Sequence, residues 1–204
     1  MRHPSHEILS AYVEGAMDEP RCLLVEAHLA LCPTCSSRVA EDRGLGSLPP
    51  ATPHDELEAP PFHRVWAAVE EAITRRQRPE AAVLPPDLLA ALPDSSEWQW
   101  HDIVPLRVRS VLLARDAETG SCLFLTHFRP GGAFPRHRHL GLEENVLLAG
   151  GYDTDGLRVE TGDWMTGNPG SEDMPCTDPG EECWCLSRVE VPGIEFLTDD
   201  AEGP

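Results

Sequence analysis

Basic residues and long hydrophobic runs are scarce in this chain, and each scarcity excludes a class of protein. Among 204 residues, 16 are lysine or arginine and 35 are aspartate or glutamate, which gives a formal net charge of -19. A surface this acidic repels phosphate backbones, so the sequence argues against direct binding to nucleic acid. A basic protein that itself handles nucleic acid is the natural partner for such a surface.

Features that would direct the chain to a membrane are also missing from the sequence. No apolar run reaches the roughly 18 residues that a membrane-spanning helix requires. The N-terminus lacks the charged and apolar segments of a secretory signal. We therefore expect a cytoplasmic protein without membrane contact. There the seven cysteines are expected to be reduced thiols, metal ligands or redox sensors rather than disulfides.

Helix signals dominate residues 1–45. Ser5 suits an N-cap and Gly15 a helix end, which predicts a first short helix between them. Asp18 suits the start of a second helix, and Pro33 suits the first turn of a third. We expect a small bundle of short helices.

A proline-rich segment over residues 48–61 predicts a linker, and an amphipathic helix follows it. The apolar stripe of that helix carries Phe62, Val65, Trp66 and Val69. A lone amphipathic helix cannot bury its stripe by itself, so it must pack on the N-terminal helices, on the next domain or on a partner. We predict a helical domain over residues 1–78 that includes this helix.

Beyond a second linker at residues 79–86, short β-type runs alternate with turn signals. The predicted strands cover residues 108–113, 121–128, 144–148 and 182–189. The predicted turns are Gly131-Gly132, Gly150-Gly151, Asp155-Gly156 and Gly162-Asp163. Many short strands favour an antiparallel barrel or jelly roll over residues 87–204, and hence an α + β protein of two domains.

The first candidate metal site is the run His28-Leu-Ala-Leu-Cys32-Pro-Thr-Cys35. Residues four apart share a helical face, so His28 and Cys32 can meet at one point, and Cys35 lies one turn further on. Thiolate and imidazole donors in a closed tetrahedron are typical of structural zinc. His3 and His6 are both candidates for the fourth ligand, and a pair of buried thiols beside a histidine is the alternative without metal.

The second candidate is His137-Arg-His139-Leu-Gly-Leu-Glu143. Side chains alternate along a strand, so His137 and His139 point to one side, and Glu143 can approach from the following strand. Imidazole with carboxylate suits zinc, iron, manganese or nickel. A barrel that holds no metal is the alternative.

The N-terminal residues resemble the zinc-binding anti-sigma domain. The resemblance lies in His3-Pro-Ser, Leu9-Ser-Ala-Tyr12, Gly15 and the HxxxCxxC run at 28–35. It implies that His3 completes the zinc site and that a fourth helix clamps a sigma factor. The stripe at 62–76 falls where that helix belongs, so Phe62, Val65, Trp66 and Val69 are expected to bind the partner.

Residues 132–143 resemble the first cupin motif, and residues 162–175 resemble the second. The second motif normally supplies one more histidine, and here Asp173 stands at that position. The resemblance implies a site for zinc or another divalent metal, formed by His137, His139, Glu143 and Asp173.

Together the motifs resemble those of the ChrR-like anti-sigma factors. This resemblance implies a regulator, not an enzyme, that sequesters an alternative sigma factor of the extracytoplasmic-function type and releases it under oxidative or related stress. Cys183 and Cys185 fall where the family carries paired cysteines, and they either sense oxidation or fill the barrel. The alternative function is a metal-dependent cupin enzyme, dioxygenase- or hydrolase-like. That function leaves the HxxxCxxC module without a purpose.

Overall fold

Three short helices form the N-terminal part of the chain. The computed structural model describes residues 1–44, 83–103 and 105–197. The helices are α1 (His6–Glu14), α2 (Glu19–Leu31) and α3 (Pro33–Asp42). The side chains of Ser5 and Asp18 cap α1 and α2, Gly15 ends α1 in the left-handed conformation, and Pro33 opens α3. The helix boundaries predicted from these residues are confirmed.

A fourth short helix and ten strands make up the rest of the described chain. The helix is α4 (Pro86–Ala91). The strands are β1 (His101–Ile103), β2 (Val108–Arg115), β3 (Cys122–Phe128), β4 (His137–His139), β5 (Glu143–Thr154), β6 (Leu157–Glu160), β7 (Trp164–Gly167), β8 (Glu172–Asp173), β9 (Cys183–Val189) and β10 (Ile194–Phe196). All four predicted strands are present, as β2, β3, β5 and β9.

Two antiparallel sheets enclose the interior of the β domain. The larger has the order β1-β2-β3-β9-β5-β6, with β7 also paired to β5, and the smaller has the order β10-β4-β8. The expected α + β class, with helices preceding an antiparallel β domain, is confirmed. Among the described helices, none is long and apolar enough to cross a membrane.

The prediction of a turn at Gly150-Gly151 is wrong, because both residues lie inside β5. The first part of β5 pairs with β9, up to Gly150, and the part from Gly151 onward pairs with β6. Gly150 has a φ of 73°, and a Cβ there would collide with the backbone oxygen of Glu182. The glycine therefore lets one strand bend from one partner to the next. The predicted turn at Asp155-Gly156 does connect β5 to β6.

The larger sheet is buried on both faces. Leu147 points into the β domain, where it packs with Val108 and Cys185. Its neighbour Val146 belongs to a second core that also contains Leu24 and Val25 of α2. The helices and the sheet thus share one hydrophobic core. The predicted domain boundary at residue 78 lies outside the described part, and the one at residue 86, where α4 begins, stays a prediction.

A buried charge cluster crosses the contact between α2 and the sheet. Arg188 on β9 is 2% exposed. Its guanidinium binds both carboxylate oxygens of Asp18, the N-cap of α2, and reaches Glu144 Oε2 at 3.3 Å and Glu190 Oε1 at 3.0 Å. Arg21 Nη2 binds the other oxygen of Glu144 at 2.6 Å. Opposite charges are therefore paired across the interface, as burial requires.

Candidate metal centres

The N-terminal cluster draws its residues from three neighbouring stretches of chain. His28 lies on the last turn of α2, Cys32 lies between α2 and α3, and Cys35 lies on the first turn of α3. His3 comes from the segment before α1, and its Nδ1 is 3.4 Å from the Sγ of both cysteines. One ligand atom from each of the four residues lies within 4.8 Å of the other three.

His3, and not His6, joins this cluster. His6 is the first residue of α1, and its Nδ1 instead lies 3.4 Å from the hydroxyl of Ser10 on the same helix. Of the two candidates for the fourth position, the structure brings only His3 to the thiols.

The burial of the cluster supports metal binding. His28 is fully buried, and within the described chain neither of its ring nitrogens has a hydrogen-bond partner of good geometry. Burial, followed by the nearby charge of His3, lowers the pKa of His28 to about 4. Burial, with the hydrogen bond and charge of Cys32, raises the pKa of the Cys35 thiol to about 11. Unpaired buried polar groups are unfavourable, and two thiolates with two imidazoles fit zinc, so the cluster indicates a metal site.

The second cluster lies where the smaller sheet meets the start of β5. His137 and His139 lie on β4, and β8 places Asp173 directly opposite His137. His137 Nε2 is 2.9 Å from Asp173 Oδ1, and His139 Nε2 is 3.6 Å from Glu143 Oε2 and 4.0 Å from Asp173 Oδ2. His137, His139 and Glu143 form a group with all ligand atoms within 4.8 Å, and Asp173 stands at its edge.

Backbone contacts orient both imidazoles toward this point. His137 Nδ1 lies 2.9 Å from the carbonyl oxygen of Pro135. His139 Nδ1 lies 3.2 Å from the carbonyl oxygen of Ser171 and 3.0 Å from its hydroxyl. A proton on each Nδ1 leaves each Nε2 free to bind a metal. Among the described residues, none hydrogen-bonds to the buried Nε2 of His139.

Burial and a neighbouring carboxylate raise the pKa values of two groups in the second cluster. Burial raises the pKa of Glu143, against the opposing effects of a hydrogen bond from Asn145 and of the nearby His139. Burial alone would lower the pKa of His137, but the hydrogen bond and charge of Asp173 outweigh it, so that pKa is raised. Two imidazoles and two carboxylates fit a divalent ion without selecting one.

A cavity of about 340 Å³ opens beside this cluster. His137, Glu143 and Asp173 form part of its wall. Its other lining residues are mostly apolar and aromatic: Ile103, Phe124, Phe128, Phe134, Tyr152, Pro175, Val189 and Ile194 among them. The size suits a small molecule, and the charged part of the wall is formed by the metal cluster.

Cys183 and Cys185 lie inside the β domain on β9 and pack in its core. Burial raises the pKa of Cys185 to about 12, and burial also raises the pKa of Cys183 strongly. A thiol held protonated reacts slowly with oxidants, which favours the packing role. Cys185 nevertheless lines the cavity, with its Sγ 3.5 Å from Asn145 Oδ1, so a redox role stays a prediction.

The predicted partner-binding residues Phe62, Val65, Trp66 and Val69 lie outside the described residues.

Several residues that support the clusters, or the contact between α2 and the sheet, carry no local sequence signal. Asp18 and Arg188 are 170 positions apart, and Arg2 and Asp163 are 161 apart. The glycine at position 167 lies against His139, and a Cβ there would come within 2.5 Å of the imidazole. Only the three-dimensional arrangement brings these residues to their partners. Covarying positions in an alignment are the signal that would have revealed them.

Comparison with known proteins finds two family models that match separate parts of the chain. The family model described as a ChrR cupin-like domain matches residues 90–190, and a zinc-finger model matches residues 5–36. The anti-sigma-E factor ChrR of Cereibacter sphaeroides is 29% identical over 197 residues, which cover 93% of this chain and 90% of that protein. The crystal structure of Rhodobacter sphaeroides SigE in complex with the anti-sigma ChrR matches with a TM-score of 0.65 and 24% identity, covering 93% of this chain and 98% of that one. At this identity the structural likeness shows the fold.

Proposed function

The chain is a ChrR-like protein, with a zinc-finger segment ahead of a ChrR cupin-like domain, and from this premise we propose that it is an anti-sigma factor. It binds an alternative sigma factor of the extracytoplasmic-function type in the cytoplasm and occludes the surfaces that polymerase needs. The observation that carries the proposal is the similarity to an anti-sigma-E factor along 93% of the chain.

The partner is held by the helix predicted between the two linkers. Phe62, Val65, Trp66 and Val69 recur at helical spacing, which is the pattern of an amphipathic helix that lies in a groove of its partner. A formal charge of -19 favours association with a basic sigma factor and repels DNA. The acidic surface thus selects for the protein that binds promoter DNA and against the DNA itself.

Zinc at the N-terminal cluster has a structural role in this proposal. His3, His28, Cys32 and Cys35 would hold it with four protein ligands, the ligand set of a structural zinc site rather than of a catalytic one. Through these ligands, bound metal would join α2 to α3 and fix the segment before α1. In so small a helical unit, the free energy of metal binding supports folding directly.

The cupin end senses the inducing signal. His137, His139, Glu143 and, at the edge of the group, Asp173 bind zinc or another divalent metal, and the adjacent cavity admits a small molecule to that metal. When bound, the metal supplies a Lewis-acid centre that a reactive small molecule can attack or bind. The relative is a regulator, so we assign the cluster to sensing rather than to catalysis. Cys183 and Cys185 are the second candidates for sensing oxidation.

Two consecutive glutamates couple the cavity to the helices. Alternation along β5 places Glu143 in the cavity wall and Glu144 on the opposite face, where it binds Arg21 of α2 and Arg188. A shift of this strand at Glu143 also displaces Glu144. Chemistry in the cavity can therefore alter the packing of α2, which is the physical requirement for coupling the sensor to sigma release.

Reconstituted transcription tests the proposal. The metal-loaded full chain is added to RNA polymerase and the extracytoplasmic-function sigma factor encoded nearest to its gene. We expect a stoichiometric complex and loss of transcription from that sigma factor's promoter, with transcription by the housekeeping sigma factor unchanged as the control. A folded, metal-loaded chain that neither binds nor inhibits that sigma factor would contradict the proposal.

A further inference from the structure

The segment before α1 is docked on the β domain rather than on the helices alone. The backbone N–H of Arg2 donates to Asp163 Oδ1 at 2.6 Å, and its guanidinium binds Asp163 Oδ2 at 2.7 Å. The guanidinium also donates to the carbonyl oxygen of Arg158 at 3.2 Å, and the backbone N–H of Trp164 donates to the carbonyl oxygen of Arg2 at 3.1 Å. Residue 2 is therefore held by both its backbone and its side chain.

The carboxylate of Asp163 is buried and hydrogen-bonded where it binds Arg2. Its side chain is 6% exposed, and it also accepts a hydrogen bond from the backbone N–H of Glu160 at 3.1 Å, which fixes it in the turn between β6 and β7. A buried carboxylate with several donors is strongly oriented. Its other close partners are Arg2 and the amino group of Met1, which lies 3.6 Å from Oδ1.

His3, the next residue, has no helix to fix it. It lies in the extended segment before α1 and is exposed, whereas His28 is fully buried on α2. The three other residues of the N-terminal cluster lie within eight positions of one another on α2 and α3. The position of His3 therefore depends on how its neighbours are anchored.

We propose that Asp163 is a positioning residue for the N-terminal metal site: by binding Arg2, it holds His3 Nδ1 at the thiols of Cys32 and Cys35. Trp164 supports the same site from the other side, because its indole packs edge-to-face on the His28 imidazole with ring centroids 5.9 Å apart. The metal site is thus completed by the cupin-like domain. This inference rests on the metal site proposed above.

Loss of a contact that orients a metal ligand typically lowers metal affinity by about 10- to 100-fold. We expect Asp163→Asn in the full-length, zinc-loaded chain to transfer zinc to a chromogenic chelator at least about 10-fold faster than the unmodified chain. Asparagine keeps an acceptor for the turn but loses the charge that binds Arg2. Glu118→Gln, which removes an exposed carboxylate in the β2–β3 loop, is the matched control and should leave the rate unchanged.

A cobalt-substituted protein separates positioning from general destabilisation. The thiolate-to-cobalt charge-transfer bands report Cys32 and Cys35, and the ligand-field bands report the whole tetrahedron. In Asp163→Asn we expect the charge-transfer bands to persist. The ligand-field bands should shift toward those of His3→Ala. Arg2→Ala, which leaves the β6–β7 turn untouched, should shift the spectrum in the same direction.

A double-mutant cycle tests whether Asp163 acts through His3. If Asp163 acts through His3, adding Asp163→Asn to His3→Ala should not accelerate zinc transfer further. Equal acceleration in both backgrounds, or an unchanged rate in Asp163→Asn alone, would overturn the positioning role while leaving the metal site intact. If His3→Ala transfers zinc at the rate of the unmodified chain, His3 is not a ligand, and the proposed site itself fails.

Discussion

Cys35 lies on the first turn of α3, where its thiol lies 3.4 Å from His3. Replacing it with serine opens the coordination sphere and removes the folding support of the metal. We expect Cys35→Ser to lose zinc and sigma binding together, with zinc affinity falling by more than the roughly 100-fold that an outer contact can cause. Metal analysis and co-purification with the sigma factor measure both. Cys22→Ser, a half-buried thiol on α2 outside the cluster, is the control.

Asp173 faces His137 across β8 and β4, at a distance of 2.9 Å. If it binds the cupin metal, replacement by histidine should tighten that site for zinc, because imidazole is a more selective zinc ligand than carboxylate. Competition with a chelator, on protein whose N-terminal site stays loaded, measures the change. Unaltered affinity in Asp173→His would show that position 173 lies outside the coordination sphere.

His137 and His139 hold the sensing metal in the proposed function, and the sigma clamp lies elsewhere. The double variant His137→Ala with His139→Ala should therefore keep basal inhibition and lose release of the sigma factor under oxidative challenge. Transcription from the sigma-dependent promoter, before and after oxidant, measures both. His101→Ala, an exposed histidine on β1, should behave as the unmodified chain does. Normal release from the double variant would shift the sensor to Cys183, Cys185 or the N-terminal thiolates.

At the scale of elements, α2 is fastened to β9 by the pair Asp18–Arg188. Burial alone would raise the pKa of Asp18, but hydrogen bonds from Arg188 and from the Arg21 backbone outweigh it, so that pKa lies below 3.8. The ionised form is therefore favoured in the folded state. Its contribution to stability is complete above pH 3.8 and is lost as pH falls through the lowered pKa.

Asp18→Asn should accordingly reduce the free energy of unfolding by about 2 kcal/mol at neutral pH. The difference from the unmodified chain should shrink as the pH is lowered past the ordinary range of the carboxyl group. Urea titrations across acidic and neutral pH measure it, and Asp42→Asn, an exposed aspartate on α3, serves as the comparison. A difference that stays constant with pH would mean that the ion pair does not stabilise the contact.

Elements differed in how well the sequence predicted them, for physical reasons. Helix starts at Ser5, Asp18 and Pro33 were predictable because a cap acts within a few residues of itself. The Gly150-Gly151 pair was misassigned because its role depends on Glu182, a residue on a distant segment. The same contrast between local and long-range signals applies to the metal sites. The spacing of His28, Cys32 and Cys35 is local. The residues themselves left His3 and His6 open, the resemblance to the zinc-binding anti-sigma domain implied His3, and in the structure His3 Nδ1 lies 3.4 Å from both thiols.

At the scale of the whole molecule, the helices and the sheet share a core, yet the clamp is predicted to lie in the N-terminal part. We expect residues 1–78 alone to inhibit the sigma factor, because the apolar anchors at 62, 66 and 69 belong to that fragment. The fragment should be less stable than the full chain, since Leu24 and Val25 lose their partners on the sheet. Transcription assays at matched concentrations test it, with circular dichroism to establish folding.

A folded fragment that leaves sigma-dependent transcription unaffected would contradict the clamp. In that case the stripe at residues 62–76 would dock on the cupin-like domain, and inhibition would require the complete chain. Adding the separate domain over 87–204 back to the fragment distinguishes this outcome from simple loss of stability.

The contact between Arg2 and Asp163 also determines when the N-terminal site is completed during synthesis of the chain. Arg2 and Asp163 are separated by 161 positions. A ribosome that adds about 5 to 20 residues per second therefore adds Asp163 roughly 8 to 30 seconds after Arg2. During that interval α1, α2 and α3 have left the ribosome. The contact that anchors the segment carrying His3 has not yet formed. The site formed by residues 3–35 is thus completed only after residue 163 has been made, and a newly made chain acquires its full hold on metal only after the cupin-like domain has folded.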